Sequence, residues 1–146
     1  MSPDIILVVS LIVMSSALPA NNKNRFLTTI GDREYFIEDN LEANWELAFL
    51  SCRKRGLHLI SLDELPYRKR LKEYLSKNEL KEKSFWTSGT AMNLESWYWL
   101  DVGKFFKGKI EGEVENGVHD CLTLKGDVFY QRNCSSNNHF ICELRQ

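Results

Sequence analysis

The sequence predicts an α+β domain that is held by two disulfides. Before residue 83, apolar residues recur at the spacing of two amphipathic helices. After it, short segments rich in aromatic and β-branched residues predict antiparallel strands. Helices and strands that are segregated in this way are typical of an α+β domain. The 146 residues contain no repeat, low-complexity tract or Pro/Gly-rich linker, so we predict one folded domain.

An apolar run at the N-terminus predicts a secretory signal peptide over residues 1–20. The run extends from Ile5 to Met14 and is shorter than a membrane-spanning helix, which needs about 20 apolar residues. Small residues follow the run, and cleavage is expected after Ala17 or Ala20, between which the sequence does not choose. The alternative is a buried N-terminal strand or helix, because no Lys or Arg precedes the run.

The predicted mature chain, residues 21–146, has balanced charge. Lys and Arg number 19 against 20 Asp and Glu, and one of these acids, Asp4, would leave with the signal peptide. A neutral chain argues against nucleic acid or an anionic membrane as the main partner. We therefore expect a secreted, extracellular protein that does not insert into a membrane. The sequence leaves its oligomeric state open.

A hairpin and a helix are expected at the beginning of the mature chain. Residues 25–30 and 34–37 have the composition of strands, and Gly31 between them suits a tight turn with positive φ. A helix is then expected after Asn44 as the N-cap, and Gly56 is placed to end it. Four residues at helical spacing form its apolar face: Trp45, Ala48, Phe49 and Cys52.

A second helix is predicted after a short buried segment that contains Leu57, Leu59, Ile60 and Leu62. Either Ser61 or Asp63 is expected to cap this helix, and Pro66 suits its first turn. Its core-facing residues would be Leu71, Tyr74 and Leu75. Its basic residues are expected to lie in solvent, with a partner site as the alternative: Arg68, Lys69, Arg70 and Lys72. Five strands are predicted next, over residues 85–89, 97–100, 120–124, 128–132 and 139–144.

An even number of cysteines behind a signal peptide predicts two disulfides among Cys52, Cys121, Cys134 and Cys142. Four cysteines allow three pairings, and spacing alone selects none of them. A zinc site is the competing hypothesis, but the sequence has no Cys-x-x-Cys and its three histidines lie far apart. Asn133 begins an N-glycosylation sequon whose occupancy the sequence does not decide.

The sequence lacks the motifs of an enzyme. His58, His119 and His139 lie apart from any recognisable nucleophile motif, and no Gly-x-Ser-x-Gly, metal-hydrolase helix or phosphate-binding loop occurs. His119 beside Asp120 and Cys121 would suggest catalysis only if Cys121 were a free thiol. We therefore predict a binding protein rather than an enzyme.

A series of short segments occurs in the order of a known family. These segments are Tyr35–Ile37, Asn44-Trp45 with Ala48, Cys52, Gly56, Leu59-Ile60, Phe85–Gly89, Trp97–Trp99, Gly103, Asp120–Leu122, Cys134 and Phe140–Glu143. Their joint order resembles the C-type-lectin-like domains over essentially the whole mature chain. The Trp-Thr-Ser-Gly sequence that begins at Trp86 is similar to the secreted lectins of insects.

The resemblance implies a disulfide pairing, a fold and a ligand loop. It implies that Cys52 pairs with Cys142 and that Cys121 pairs with Cys134. The implied fold has two helices flanking small antiparallel sheets, with a long loop between Trp99 and Cys121. In family members that bind sugar through calcium, the ligands lie on this loop and just before the third cysteine.

The two calcium-ligand positions of the family are altered in this sequence. Residues 113–115 read Glu-Val-Glu where sugar-binding members of the family have a motif such as Glu-Pro-Asn, with a cis-proline. A cis peptide at Val114 would cost about 2.5–4 kcal/mol, so we expect a different loop shape. Residues 129–131 read Phe-Tyr-Gln where those members have Trp-Asn-Asp. The Asn and Asp oxygens that would bind calcium are therefore missing. We therefore expect no metal and no cofactor, with calcium at the usual site as the less favoured alternative.

Carbohydrate recognition without the usual calcium site is the function that the resemblance implies. The candidate ligand-binding residues are Glu113, Glu115, Asp120, Tyr130 and Gln131. The two glutamates could instead form a solvated acidic loop. Phe106 and Phe129 are expected in the core, with Tyr130 on the opposite face of its strand. The alternative function is a protein-binding module of the same fold, in immunity, venom or host interaction, with no glycan ligand.

Overall fold

The computed structural model describes residues 26–92, 96–112 and 120–145. Within these ranges, no helix is long and apolar enough to cross a membrane. The predicted signal peptide and both of its cleavage sites lie outside the described residues, so they stay predictions.

The predicted hairpin is present as strands β1 (Thr28–Ile30) and β2 (Arg33–Ala43). Gly31 has a φ of 66° in the turn between them, where Ile30 pairs with Arg33. This left-handed conformation is readily adopted by glycine. Strand β2 is longer than predicted because it also pairs with the last strand of the chain.

Helix α1 (Trp45–Lys54) begins and ends where the sequence predicts. The Asn44 side chain accepts a hydrogen bond from the Leu47 backbone N–H at 2.9 Å, which satisfies one of the free donors of the first turn. Gly56 follows the helix with a φ of 73°. The buried residues of α1 are Trp45, Ala48 and Cys52.

The start of helix α2 (Leu65–Lys77) differs from the prediction. Its N-cap is Glu64, whose side chain makes no capping hydrogen bond. Neither predicted cap is available, because both side chains make long-range contacts instead. The Ser61 hydroxyl lies 2.6 Å from the Ser88 hydroxyl. The Asp63 carboxylate binds Lys104 at 3.0 Å and Arg145 at 2.7 Å.

One face of α2 packs on the core, as predicted. Leu71 and Leu75 are fully buried, and Tyr74 is partly buried against the same cluster. The prediction that Arg68 lies in solvent is wrong. Its guanidinium donates to the Leu62 carbonyl oxygen at 2.7 Å and lies 4.8 Å from the centre of the Phe129 ring.

The strands form a mixed sheet rather than a purely antiparallel one. After β3 (His58–Leu59), the later strands are β4 (Ser84–Thr90), β5 (Tyr98–Trp99), β6 (Lys104–Phe105), β7 (Ile110–Glu111), β8 (Cys121–Lys125), β9 (Val128–Arg132) and β10 (Asn138–Glu143). Their main order is β1-β2-β10-β4-β8-β9-β7. Strand β10 lies between β2 and β4, and it runs antiparallel to β2 and parallel to β4. Strand β7 also runs parallel to its neighbour β9.

Each helix packs against its own apolar cluster. The α2 cluster includes Leu71, Phe85 and Trp99. The α1 cluster includes Trp45 and Trp86 together with both disulfides. The indole N–H of Trp86 donates to the carbonyl oxygen of Ala43 at 2.8 Å, so this buried polar group is satisfied.

Both disulfides that the resemblance implied are confirmed. Cys52 is bonded to Cys142, with 5.5 Å between their Cα atoms, and joins α1 to β10. Cys121 is bonded to Cys134, with 5.3 Å between their Cα atoms, next to the β8–β9 hairpin. With two helices and a sheet around these bonds, the predicted fold class is confirmed.

Candidate ligand-binding face

The ligand loop is described where it reaches the sheet. Glu113 and Glu115, two of the predicted ligand-binding residues, lie outside the described residues. Just before them, β7 pairs with β9, so that Ile110 lies beside Phe129 and Glu111 lies beside Tyr130. This middle part of the loop is therefore fixed to the strand that carries Tyr130 and Gln131.

The Gln131 side chain also fixes the position of the loop at Gly112. Its side-chain Nε2 donates a hydrogen bond to the carbonyl oxygen of Gly112 at 3.2 Å. Gly112 has a φ of 113°, and a Cβ atom there would lie 3.3 Å from both Arg132 Nη1 and the Gln131 carbonyl oxygen. A residue without a side chain permits this close approach of the two strands.

Tyr130 and Arg132 share the face of β9 that is turned away from the α2 cluster. Strand alternation places them opposite Phe129, which is 3% exposed. The Arg132 guanidinium lies 4.9 Å from the centre of the Tyr130 ring, within the range of a cation–π contact. Phe129 packs instead against the rings of Trp99 and Phe106. We call the surface formed by Glu111, Tyr130 and Arg132 the β7–β9 face, while Gln131 alternates to the Phe129 side of β9 and bonds to Gly112.

Asp120 is separated from this face in its contacts. It precedes β8, and its carbonyl oxygen accepts hydrogen bonds from the Ala91 N–H at 2.9 Å and the Thr90 hydroxyl at 2.7 Å. These bonds join it to the end of β4. The structure therefore brings together Tyr130 and Gln131 from the predicted set, while the contacts of Asp120 are to another strand.

The described residues do not fit a calcium ion at the family's usual position. Calcium takes six to eight oxygen ligands. Here Phe129 is buried in the core, and the Gln131 amide nitrogen is turned towards the Gly112 carbonyl. No group of three or more His, Cys, Asp or Glu side chains in the described ranges could hold a metal ion. We therefore derive no role for calcium on this face.

Comparison with known families identifies the family to which this fold belongs. A family model described as the Lectin C-type domain matches residues 41–144. The chain belongs to the C-type lectin domain family. Killer cell lectin-like receptor subfamily B member 1B allele A of Mus musculus is 29% identical to this C-type lectin domain over 103 residues. The match covers 68% of this chain but only 44% of the receptor.

Solved structures share the fold of this C-type lectin domain. The mouse scavenger receptor C-type lectin carbohydrate-recognition domain superposes with a TM-score of 0.68 at 19% identity, over 83% of this chain and 94% of that one. A calcium-independent type II antifreeze protein gives a TM-score of 0.63 at 21% identity, over 82% and 91% of the two chains. At this low identity, the likenesses show the fold alone.

This C-type lectin domain also has a cleft that the sequence did not predict. The cleft has a volume of about 380 Å³ and lies between α2 and the segment around β6. Its lining residues are Asp63, Arg68, Trp99, Gly103, Lys104, Phe105 and Lys107. The signal in the sequence was the Lys-Phe-Phe-Lys segment from residue 104 to residue 107. Only the fold shows that Arg68 and Asp63 lie beside this segment.

The cleft carries more positive than negative charge. Asp63 is its one carboxylate, and both oxygens of Asp63 already bind cations, Lys104 and Arg145. Burial raises the pKa of Asp63, but the hydrogen bonds from Lys104 and Arg145 outweigh this effect and hold the pKa below its usual value. Asp63 therefore stays ionised, and its charge is balanced within the cleft.

Proposed function

We propose that this chain is a secreted C-type-lectin-like protein that binds carbohydrate without calcium. The observation that carries the proposal is the hydrogen bond from Gln131 to Gly112. This bond gives the side-chain nitrogen at a family calcium position a partner within the protein and fixes β7 beside β9. Tyr130 and Arg132, both partly exposed, lie on the other face of β9 as groups that could contact a ligand.

The β7–β9 face has chemistry suited to a sugar. The Tyr130 ring offers a flat surface for sugar C–H groups, and Arg132 offers hydrogen-bond donors. The Glu111 carboxylate, which is paired with Lys109 at 2.5 Å, offers acceptors for sugar hydroxyls. Hydrogen bonds of this kind contribute about 0.5–1.5 kcal/mol each, so we expect millimolar affinity for a single sugar unit.

Secretion is part of the same proposal. Two disulfides are rare in reducing compartments and common in secreted proteins, and both are present in the fold. The apolar segment within residues 1–20 would serve as the signal peptide. The similarity of the Trp86 to Gly89 sequence to secreted insect lectins is a finer prediction that a search among such lectins would test.

A glycan array tests the proposal directly. The disulfide-bonded protein is applied to the array in calcium and again in chelator, and we expect the same bound glycans in both conditions. Tyr130→Ala should weaken binding several-fold, whereas Tyr130→Phe, which keeps the ring, should retain most of it. Tyr67→Ala is the matched control. Tyr67 lies on α2, and its ring packs against Arg33 of β2 rather than on β9. Binding that disappears in chelator would contradict the proposal.

A protein-binding module is the second candidate, and one observation favours it. Leu47 and Leu50 lie one turn apart on α1 and are 56% and 59% exposed. Exposed apolar side chains on one helix face are typical of protein contacts when they form a continuous patch. If the array shows no bound glycan in either condition, Leu47→Ser with Leu50→Ser becomes the informative variant in a search for protein partners.

A further inference from the structure

We infer that the cleft between α2 and β6 is a second binding site, and that it takes an acidic saccharide. Such a ligand is a sugar ring that carries a carboxylate or a sulfate ester. No residue of the calcium-site positions or of the β7–β9 face lines this cleft, although the Phe129 ring packs beneath Arg68. The choice of a sugar as the carrier of the acidic group rests on the proposed carbohydrate function.

The first argument is the state of Arg68. Its Nη2 donates to the Leu62 carbonyl oxygen at 2.7 Å, and its buried Nε has no hydrogen-bond partner among the described residues. Two other partly buried arginines, Arg33 and Arg145, each contact two carboxylates. A buried charge without an opposite charge is costly, so an anionic group beside Arg68 would be stabilised.

No described carboxylate forms an ion pair with Arg68. Asp63, the acid that lines the cleft with Arg68, is bound to Lys104 and Arg145. Burial lowers the pKa of the Arg68 guanidinium, and the charge of Asp63 only partly opposes this effect. This lowering does not remove the charge, because an arginine guanidinium is not deprotonated in proteins. The geometry therefore leaves a permanent cation at the wall of the cleft.

The second argument is the composition of the opposite wall. Lys107 is exposed and forms no ion pair with any described residue, so it can meet an anion that enters the cleft. Phe105 is 70% exposed, an unusual state for a phenylalanine, and lines the same cleft. A ligand that satisfies both residues needs a charged group and a flat, partly apolar ring, as in an acidic sugar.

The size of the cleft limits the ligand. Sites for small molecules have volumes of about 300–1,000 Å³, and the cleft, at about 380 Å³, lies near the lower end. One or two sugar units fit this range, whereas an extended chain would have to lie mostly outside. Gly108 has a φ of 142° and no side chain, and Phe106 is the nearest group to its Cβ position. The same Cβ position lies 4.0 Å from Arg68 Nη1, so the absence of a side chain at Gly108 leaves the space beside Arg68 open.

Titrations followed by two-dimensional ¹H–¹⁵N NMR test the inference with four probes. N-acetylglucosamine 6-sulfate and glucuronic acid represent the proposed ligand class. Neutral N-acetylglucosamine and sodium sulfate represent the sugar and the anion alone. We expect the two acidic sugars to bind more tightly than either control, with shifts at Phe105 and Lys107. Binding should weaken as NaCl is raised, because salt screens charges on exposed groups.

Variants separate this cleft from the β7–β9 face. Lys107→Gln should weaken acidic-sugar binding about two- to fivefold, as expected for an exposed charge. Phe105→Ala should weaken it several-fold, and Arg68→Met should weaken it by more than about tenfold. Lys69→Gln is the matched control, since Lys69 is an exposed lysine next to Arg68 that does not line the cleft. If Arg68→Met does not fold, the Lys107 and Phe105 variants decide the result.

The inference is overturned if neutral N-acetylglucosamine or sodium sulfate binds as tightly as the acidic sugars. It is also overturned if the Lys107 and Phe105 variants bind like the unaltered protein. Tyr130→Ala distinguishes the two proposals, because it should weaken array binding at the β7–β9 face several-fold and leave binding in the cleft unchanged. Failure of one proposal therefore leaves the other measurable.

Discussion

The side-chain amide of Gln131 donates a hydrogen bond to the main-chain carbonyl of Gly112, 3.2 Å away. This bond links β9 to the residue that follows β7. The ligand loop therefore has a fixed position on the sheet at Gly112. A calcium ligand at Gln131 would have to present an oxygen lone pair to the ion. In this structure the nitrogen of the same side chain is a donor to the protein itself.

We predict that calcium does not stabilise the protein. An ion that bound the folded state with a dissociation constant of about 1 mM would add about 1.4 kcal/mol to the free energy of unfolding at about 10 mM calcium. That change would raise the melting temperature by several degrees. We expect no such rise in thermal melts with CaCl2, compared with MgCl2 at equal ionic strength. A rise specific to calcium would mean that the ligand loop forms a metal site after all.

Replacement of Gly89 by alanine is predicted to destabilise the fold by about 1–3 kcal/mol. A Cβ atom at Gly89 would lie 2.7 Å from Leu122 Cδ1 and 3.0 Å from Leu122 Cβ, closer than such atoms can approach. Leu122 is fully buried and cannot move aside easily. Urea denaturation measures the loss. Ser76→Ala, on the exposed side of α2, should change stability by less than about 0.5 kcal/mol.

An unchanged midpoint for Gly89→Ala would contradict this argument, since it would mean that β4 and β8 separate without cost. The prediction also explains part of the family pattern in this chain. The glycine that ends the Trp-Thr-Ser-Gly sequence lies where the next strand leaves no room for a side chain.

Local patterns predicted the parts of the fold that depend on local contacts. Helix α1 was predicted correctly because its cap, its apolar face and its final glycine all lie within a few residues of one another. The start of α2 was predicted wrongly because Asp63 binds Arg145, which is 82 residues away in the sequence. A good capping residue can always be used elsewhere by a partner that the local sequence does not contain.

The same limit applies to the candidate sites. Strand alternation placed Tyr130 and Phe129 on opposite faces of β9, since this depends only on the pleat of a strand. The contact between Gln131 and Gly112 was not predicted, because it requires β7 to run parallel to β9. The cleft at Arg68 was missed because the charge of a helix residue gave no sign of which loop would cover it.

The two disulfides are predicted to contribute unequally to stability. The bond between Cys52 and Cys142 spans 90 residues, and the bond between Cys121 and Cys134 spans 13. In the chain-entropy model, such loops are worth about 4.5 and about 3 kcal/mol, respectively. Replacing both cysteines of the first pair by alanine should therefore cost more than the same change in the second pair. Urea denaturation of the two variants makes the comparison, and a larger loss from the short loop would contradict it.

Asp63 is predicted to make the protein sensitive to acid. Its pKa is held below the usual 3.8 in the folded state, because its hydrogen bonds to Lys104 and Arg145 outweigh burial. A carboxyl group whose pKa is lower in the folded state stabilises the fold above its unfolded pKa, and the contribution is lost as pH falls through the folded value. We therefore expect Asp63→Asn to cost about 1.5–3 kcal/mol at neutral pH. The difference from the unaltered protein should shrink below about pH 4.

Urea denaturation from pH 7 to pH 2.5 measures this dependence. Asp32→Asn is the matched control, because Asp32 also pairs with an arginine, Arg70, but has a side chain that is 73% exposed. Exposed pairs contribute at most about 1 kcal/mol, so this variant should follow the unaltered protein closely over the whole range. A constant difference for Asp63→Asn down to pH 2.5 would mean that the carboxylate charge is not what holds Lys104 and Arg145 in place.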